Sequence, residues 1–193
     1  MNAVAVCAVM LHQEPTLDAK ELVAQSKVSQ RGGKLTWIRE DEKWVQCLDV
    51  DNVGKTFDFQ ALNDLRRLAV LRVFQGKIVE SSLSHLSSLH QLELLVILSD
   101  GLPDRGMKWI GTIPNLVKLD VKSASMTRSG LSRLSKNNKL RRLFLYNTEL
   151  TDKDLGPLHN LKKLDDLVLP KSVSSEEVRR IRSSLKTTRV SQM

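Results

Sequence analysis

Apolar residues recur along the middle of this chain at a fixed step of 24 residues. Five segments follow the pattern Leu-x-x-Leu-x-apolar, and their first leucines are Leu68, Leu92, Leu116, Leu140 and Leu164. Within each segment the last two apolar positions are two residues apart, which is the two-residue period of a β-strand with one buried face. A period of this length, held over five copies, predicts a repeat architecture in which one unit stacks on the next.

Each unit changes its period after the strand. Short runs with apolar residues three positions apart follow, as in Leu83, Leu86 and Leu89. This spacing predicts a helical segment after each strand. Neither half of a unit buries its apolar side alone, so we expect the units to stack around one continuous core, with parallel strands on one face and helices on the other.

The N-terminal end departs from the repeat. Residues 16–29 predict a helix with Thr16 as its cap. Residues 35–38 and 43–50 predict two strands joined by a charged turn, and the second strand holds a sixth copy of the pattern that is one residue out of phase. Terminal repeats are expected to be irregular, because their outer face meets water instead of a neighbour.

The C-terminal end departs in a different way. Pro170 directly follows the last predicted strand, and because proline has no backbone donor we expect it to blunt an open sheet edge. From about residue 171 onward we expect a cap with a helix that begins at Ser174 or Ser175. The chain then divides into an N-terminal segment with a helix, residues 1–33, and a repeat domain of about six repeats with both caps, residues 34–190.

The repeats resemble those of leucine-rich repeat proteins over residues 45–190, and three local features resemble a bacterial subgroup. These are Gly32-Gly33-Lys34-Leu35 before the hairpin, the connector 148–152 and the ending 173–182. The resemblance implies an α/β fold, a right-handed leucine-rich repeat solenoid with parallel strands on the concave face and helices on the convex face. It also implies a surface used for protein recognition.

One feature of many family members is missing. Their repeats carry asparagine eight residues after the first leucine, where its amide bonds to backbone between coils. In this chain those positions are occupied by Gly76, Asp100, Ala124, Thr148 and Ser172. We therefore expect a different pattern of hydrogen bonds between coils.

Charge and cysteine content change this picture little. The net charge is +8, from 30 basic and 22 acidic residues, which permits attraction to an acidic partner without establishing one. Cys7 and Cys47 are too few for a disulfide framework, and we expect a cytoplasmic location. The apolar start leaves a truncated export signal at residues 1–11 as the alternative to a strand or helix. No run approaches the roughly 20 apolar residues of a membrane span.

Motifs for catalysis or ligand chemistry are not evident in the sequence. The stretch 52–56 ends like a phosphate-binding loop, but the first glycine of that motif would fall at Asp49. The four histidines show no metal-ligand spacing with a cysteine. We therefore expect no catalytic residues, no cofactor and no metal.

The alternation within each strand predicts a binding surface. If the fourth and sixth positions of a repeat point into the core, the third, fifth and seventh point out on the concave face. The candidate partner-binding residues are Val70, Arg72, Phe74, Leu94, Val96, Leu98, Lys122, Arg142, Phe144, Tyr146 and Val168. An exposed apolar cluster normally marks an interaction site, although long neighbouring side chains or the N-terminal segment would also cover such residues.

A second candidate surface is basic. Pairs that precede the strands are expected to lie along one edge of the sheet: Arg66-Arg67, Asn138-Lys139, Arg141-Arg142 and Lys162-Lys163. They are typical of a solvated edge, or of a contact with an acidic partner. No base-stacking aromatic residues alternate with them, so specific nucleic-acid recognition is not expected.

These patterns predict a non-enzymatic protein-protein interaction module that binds a protein or peptide on its concave face. The alternative is a substrate adaptor or a regulatory subunit of a larger complex. An adaptor needs a docking segment, and residues 1–31, which are available for it, are too short for a separate domain, so the sequence favours the interaction module.

Overall fold

The computed structural model describes residues 14–40, 43–51, 53–99 and 102–193. The apolar run near the N-terminus, with its alternative of an export signal, lies outside the described residues. The strands are β1 Gly33–Glu40, β2 Lys43–Asp51, β3 Thr56–Phe57, β4 Leu68–Phe74, β5 Lys77–Ile78, β6 Leu94–Leu98, β7 Lys118–Lys122, β8 Arg142–Tyr146, β9 Asp166–Leu169 and β10 Arg189–Gln192.

One sheet of eight strands runs through the molecule in the order β1-β2-β4-β6-β7-β8-β9-β10. The first pair is an antiparallel hairpin, and every later pair is parallel. The short strands β3 and β5 form a separate parallel pair. The hairpin and the parallel strands agree with the sequence prediction, apart from boundaries that shift by one or two residues and the added strand β10.

The 24-residue step is the register of the sheet. Leu71 lies beside Leu95, which lies beside Leu119, and the row continues through Leu143 and Leu167. All five are fully buried. Because parallel strands place equivalent residues side by side, a constant step keeps every such leucine in one row of the core.

The convex side contains both α-helices and 3₁₀-helices, where the sequence predicts helices without specifying the type. Its α-helices are α1 Ala19–Ser29, α2 Met107–Ile110, α3 Arg128–Leu134 and α4 Ser175–Ser184, and its 3₁₀ segments are Phe59–Leu62, Glu80–Ser88, Asp104–Gly106, Asp152–Asp154 and Gly156–Asn160. The longest 3₁₀ segment contains Leu83 and Leu86, which are both buried. Three residues complete one turn of a 3₁₀-helix, so leucines three positions apart all face the sheet.

Hydroxyl groups connect the coils in place of the asparagine amides. Ser99 Oγ donates to the carbonyl of Gly76 at 2.7 Å, and Ser123 Oγ donates to Leu102 at 2.9 Å. Ser172 Oγ donates to Leu150 at 2.6 Å. The expectation of a different inter-coil pattern is confirmed, because a short side chain here bonds to the backbone of the preceding coil.

Aspartates also connect successive coils by capping the helix of the next repeat. Asp104 Oδ1 accepts from the backbone nitrogens of Thr127 and Gly130, and from the Thr127 hydroxyl. Two repeats later, Asp152 accepts from the nitrogen and the hydroxyl of Ser174, the residue that caps α4. These carboxylates satisfy donors at helix starts that have no partner within their own helix.

The N-terminal helix shares the core of the repeats. Ala24 and Val28 of α1 are fully buried in the same cluster as the repeat leucines, so the division predicted at residue 33 does not separate two cores. The predicted cap was wrong: Asp18 caps the helix, and Glu21 completes a capping box with it. This capping box sets where the helix begins, because Glu21, three residues after Asp18, accepts a hydrogen bond from the Asp18 backbone nitrogen.

The C-terminal end holds a strand that the sequence does not predict. Residue Val190 of β10 lies beside Leu167, and Thr188 Oγ1 donates to the carbonyl of Leu164 at 2.7 Å. Threonine and valine thus take the places of two repeat leucines. The prediction that Pro170 blunts an open sheet edge was wrong, because β10 lies beyond β9 and Pro170 itself is buried.

Candidate concave binding face

Side chains alternate across the central strands as a strand with one buried face requires. Leu119 and Val121 of β7 are buried, and the residues between and beside them are half-buried on the other side of the sheet. Strand β8 shows the same pattern, with Leu143 and Leu145 buried. The odd positions of each repeat therefore form the concave face.

Parallel pairing brings all eleven candidate residues onto this face in three rows. The first row joins Val70, Leu94, Lys118, Arg142 and Asp166; the second joins Arg72, Val96, Asp120, Phe144 and Val168; the third joins Phe74, Leu98, Lys122 and Tyr146. We call the face of β4 and β6 the apolar half and the face of β7 to β10 the charged half. The sequence places the candidate residues together, and their binding role stays a prediction.

Exposure is uneven among these residues. Val70 is only 3% exposed, and Val96 and Val168 are 8% exposed each. Phe74 and Leu98, at the ends of their strands, are half-buried. The apolar half therefore offers less accessible surface than the sequence suggests, and most of it comes from the third row.

The first ion pair lies at the border of the apolar half. Arg72 Nε donates to Asp49 Oδ1 at 2.6 Å, and its Nη2 donates to Asp49 Oδ2 at 3.0 Å and to Cys47 Sγ at 3.2 Å. Burial raises the pKa of the Cys47 thiol, which keeps it protonated at neutral pH. Arg72 is thus held flat against β2 by two parallel hydrogen bonds to one carboxylate.

The charged half is built around Asp120. Arg142 Nη2 donates to Asp120 Oδ2 at 3.1 Å, and the Arg142 guanidinium lies 4.0 Å from the centre of the Phe144 ring. The Phe144 and Tyr146 rings meet edge to face at 6.0 Å. One carboxylate, one guanidinium and two rings therefore pack on two adjacent strands.

Burial dominates the electrostatics of this cluster. The Asp120 side chain is 14% exposed, and burial raises its pKa against the opposing attraction of Arg142. Burial also raises the pKa of Tyr146, and the Asp120 charge adds to the effect. Among the described residues, Asp120 Oδ1 and Arg142 Nε have no hydrogen-bond partner although both atoms are buried. A partly satisfied polar pair of this kind is costly in the free protein.

The sequence interpretation missed the aspartates and the last strand of this face. Asp166 Oδ1 accepts from Arg189 Nε of β10 at 2.6 Å, and this hydrogen bond raises the pKa of Arg189. An aspartate is followed by an arginine about one repeat later in three cases: Asp49 with Arg72, Asp120 with Arg142, and Asp166 with Arg189. That spacing was a signal in the sequence that could have found them.

The basic edge differs from its prediction in two of its members. Arg67 does not join it, because its guanidinium bonds to both carboxylate oxygens of Glu21 and stacks on Trp37, with 4.9 Å from the guanidinium carbon to the ring centre. Arg142 turns onto the concave face. The remaining residues before β8, β9 and β10 do lie at the edge where these strands begin.

Glu21 is the most strongly perturbed acid of the N-terminal cap. Its side chain is 2% exposed. Hydrogen bonding from Arg67 lowers its pKa to about 2, against an opposing effect of burial and with further help from the Asp18 nitrogen and Gln46. The pair of buried Glu21 and partly exposed Arg67 fixes α1 against the edge of the sheet, so the cap is a structural element.

Within the described ranges, no group of three or more His, Cys, Asp or Glu side chains is arranged to hold a metal ion. Among the helices in that part of the chain, none has the length and apolarity to cross a membrane.

Comparison with solved structures identifies the architecture. A leucine-rich repeat protein of Leptospira interrogans matches with a TM-score of 0.52 and 24% identity, over 69% of this chain and 33% of that one. The chain has the leucine-rich repeat fold. An internalin from Listeria monocytogenes matches this leucine-rich repeat chain with a TM-score of 0.49 and 23% identity, over 71% of it and 38% of the internalin.

The leucine-rich repeat chain spans about a third of the length of these two structures. No protein-family model matches it, and no curated protein does. The likeness shows the fold alone, so membership of a bacterial subgroup stays a prediction.

Proposed function

We propose that this leucine-rich repeat chain is a non-enzymatic recognition module that binds a protein or peptide on its concave face. The observation that carries the proposal is the third row, in which half-buried Phe74, Leu98, Lys122 and Tyr146 stand side by side on adjacent strands. Aromatic residues are enriched at the centre of protein interfaces, where they supply much of the binding energy.

The rigidity of the sheet supports this use. Every strand under the face is hydrogen-bonded on both sides except at the two ends of the sheet, and the opposite side of each strand is anchored by buried leucines. Side chains held this way lose little freedom when a partner binds, which reduces the entropic cost of association. The ion pairs of Arg72 and Arg142 add further order.

Substitution of the rings tests the proposal. We expect Phe74→Ala and Tyr146→Ala to leave the thermal midpoint nearly unchanged, because both rings are half-buried at the ends of their strands. Affinity capture with mass spectrometry should show partners that the wild type retains and both variants lose. Trp109→Ala is the matched control, since Trp109 is a half-buried ring on the convex helix α2.

Two results would contradict the proposal. If Trp109→Ala loses the same partners, capture does not depend on the concave face. If Phe74→Ala or Tyr146→Ala instead lowers the thermal midpoint strongly, the rings serve the core and not a partner.

A further inference from the structure

We propose that the segment recognised by this protein is acidic, and that it lies across the charged half of the concave face and the basic edge that adjoins it. The basic edge is the part of residues 135–141, 159–165 and 183–188 that precedes β8, β9 and β10. The proposal rests on the concave-face function and specifies the chemistry of its partner.

The first support is the charge of the concave face itself. In the charged half the acids are Asp120 and Asp166, and each is bonded to an arginine of the next strand. The same strands carry Lys118 and Lys122 beside Asp120. The two arginines therefore offset the two acids, so neither carboxylate of this half is left without a basic partner, which favours an acidic segment's approach.

The second support is the composition of the basic edge. Its basic side chains are Lys136, Lys139, Arg141, Lys162, Lys163 and Lys186, and its acidic side chain is Asp165. Asp165 does not balance these six basic side chains. Its ion-pair partner is Arg141, at 3.8 Å, and both side chains are half or more exposed. Because the strands are parallel and in register, these residues gather at one end of the sheet.

The corresponding edge of the earlier repeats provides an internal contrast. There Arg67 is neutralised by Glu21, Asp64 lies 3.8 Å from Lys27, and Arg66 is the exposed basic residue that remains. Before β6 the exposed charge is Glu93, and before β7 residues 111–117 carry none. Excess positive charge is therefore a property of the later repeats and not of the fold.

The size of the concave face also requires a second surface. Eight strands at about 4.8 Å spacing and about 13 Å of usable length give a projected area of about 440 Å². A standard interface takes about 800 Å² from each partner. A segment that continues from the charged half onto the basic edge contacts more surface than the concave face alone offers, and the small depression lined by Asn138, Asn160, Lys162 and Lys163 lies on this path.

The rings of the charged half favour a protein segment over nucleic acid. Phe144 and Tyr146 offer apolar contact at the concave end of the path, while residues 135–141, 159–165 and 183–188 contain no Phe, Tyr or Trp on which bases could stack. An acidic segment with an apolar residue at one end matches both surfaces. Long-range attraction of such a segment raises its association rate and is screened by salt.

Peptide selection provides the test. Peptides are selected from a random phage-displayed library on the wild-type protein, and the enriched sequences are synthesised with a fluorescent label. We expect enrichment of Asp and Glu together with an apolar residue. Lys139→Glu with Lys163→Glu should weaken binding of such a peptide by about tenfold at low salt, and the loss should shrink near 0.15 M salt, where the Debye length is about 8 Å.

The matched control reverses the charge of two lysines that lie outside the basic edge. Lys153→Glu with Lys171→Glu produces the same change in net charge on exposed residues of neighbouring segments, and should change binding by less than about twofold. Phe144→Ala should also weaken the peptide, since it removes the apolar contact. Thermal midpoints of all variants establish that they are folded.

Four outcomes would overturn the inference. If the selected peptides lack acidic residues, the partner is not acidic. The same follows if they bind Lys139→Glu/Lys163→Glu as tightly as wild type while Phe144→Ala weakens them. Both results would leave the concave-face function standing. If the peptides bind Phe74→Ala, Phe144→Ala and Tyr146→Ala as tightly as wild type, both the acidic partner and the concave-face function are contradicted. If an oligo(dT) probe competes with the selected peptide at equal affinity, and Phe144→Ala does not change its binding, the basic edge is a nucleic-acid site.

Discussion

The apolar half and the charged half of the concave face have the same backbone and different surfaces. In the apolar half, Val70 and Val96 are nearly covered and Phe74 and Leu98 carry most of the accessible apolar surface. In the charged half, the corresponding strands carry lysines, an aspartate, an arginine and two rings. Strand register fixes where a side chain stands, and the residue at that position then decides what the surface can bind.

The core beneath the two halves shows no such difference, and its substitution is expected to have the largest effect. Leu95→Ala under the apolar half and Leu143→Ala under the charged half each empty a fully buried position. We expect each to cost about 3–5 kcal/mol. Urea unfolding followed by circular dichroism measures both. A clearly smaller cost at one position would show that the two halves differ in core packing as well as in surface.

The response to acid should give the next largest effect, and it should differ between the N-terminal cap, which holds Glu21, and the charged half, which holds Asp120. Glu21 has its pKa lowered to about 2 from 4.5, so its stabilising contribution is complete above about pH 4.5 and is lost as pH falls towards 2. The shift corresponds to at most about 3 kcal/mol. Asp120 has its pKa raised by burial, so its effect has the opposite sign: the charged form is disfavoured in the folded state, and protonation removes that cost.

Chemical unfolding at a series of pH values measures these contributions. Glu21→Gln should be less stable at neutral pH and flatter between pH 4.5 and 2 than wild type. Asp120→Asn should instead make the loss towards low pH steeper, because the compensating gain disappears. An acid profile of Glu21→Gln that parallels wild type would show that Glu21 does not carry the perturbed titration.

The aspartate caps between coils should give the smallest of these effects. Asp104 accepts three hydrogen bonds from Thr127 and Gly130 and one from Arg133, whereas Asp152 accepts two from Ser174. We expect Asp104→Ala to cost about 1–2 kcal/mol and Asp152→Ala to cost less. Thermal unfolding compares them, with Lys153→Ala as the exposed neighbour control. Equal costs would mean that bond count does not rank the caps.

Much of the fold could be predicted from the sequence because the repeat is periodic. The row of Leu71, Leu95 and Leu119 follows from one number, the step of the pattern, and the outward rows follow from strand alternation. The ends were harder to predict for a physical reason. Thr188 and Val190 replace leucines in the last coil, and a strand that pairs on one side only does not need the full pattern.

The sequence predicts where the residues of the candidate site lie, but not how exposed they are or which residues they bond to. Alternation placed Val70 and Val96 on the concave face, yet packing between neighbouring strands leaves them nearly inaccessible. Arg67 and Arg142 look alike in sequence, since each precedes or begins a strand as part of a basic pair. Arg67 bonds to Glu21 of a helix far away in the chain, and Arg142 bonds to Asp120 on the preceding strand.

The sequence by itself determined the repeat, the identity of the core residues and the rows of the concave face, because a fixed step in a parallel sheet leaves one register in which all the leucines are buried. Only the tertiary structure decided which of those outward residues keep accessible surface and which charges are offset. Those properties depend on distances between residues of different coils, such as Asp166 with Arg189 and Glu21 with Arg67, and no local pattern specifies them.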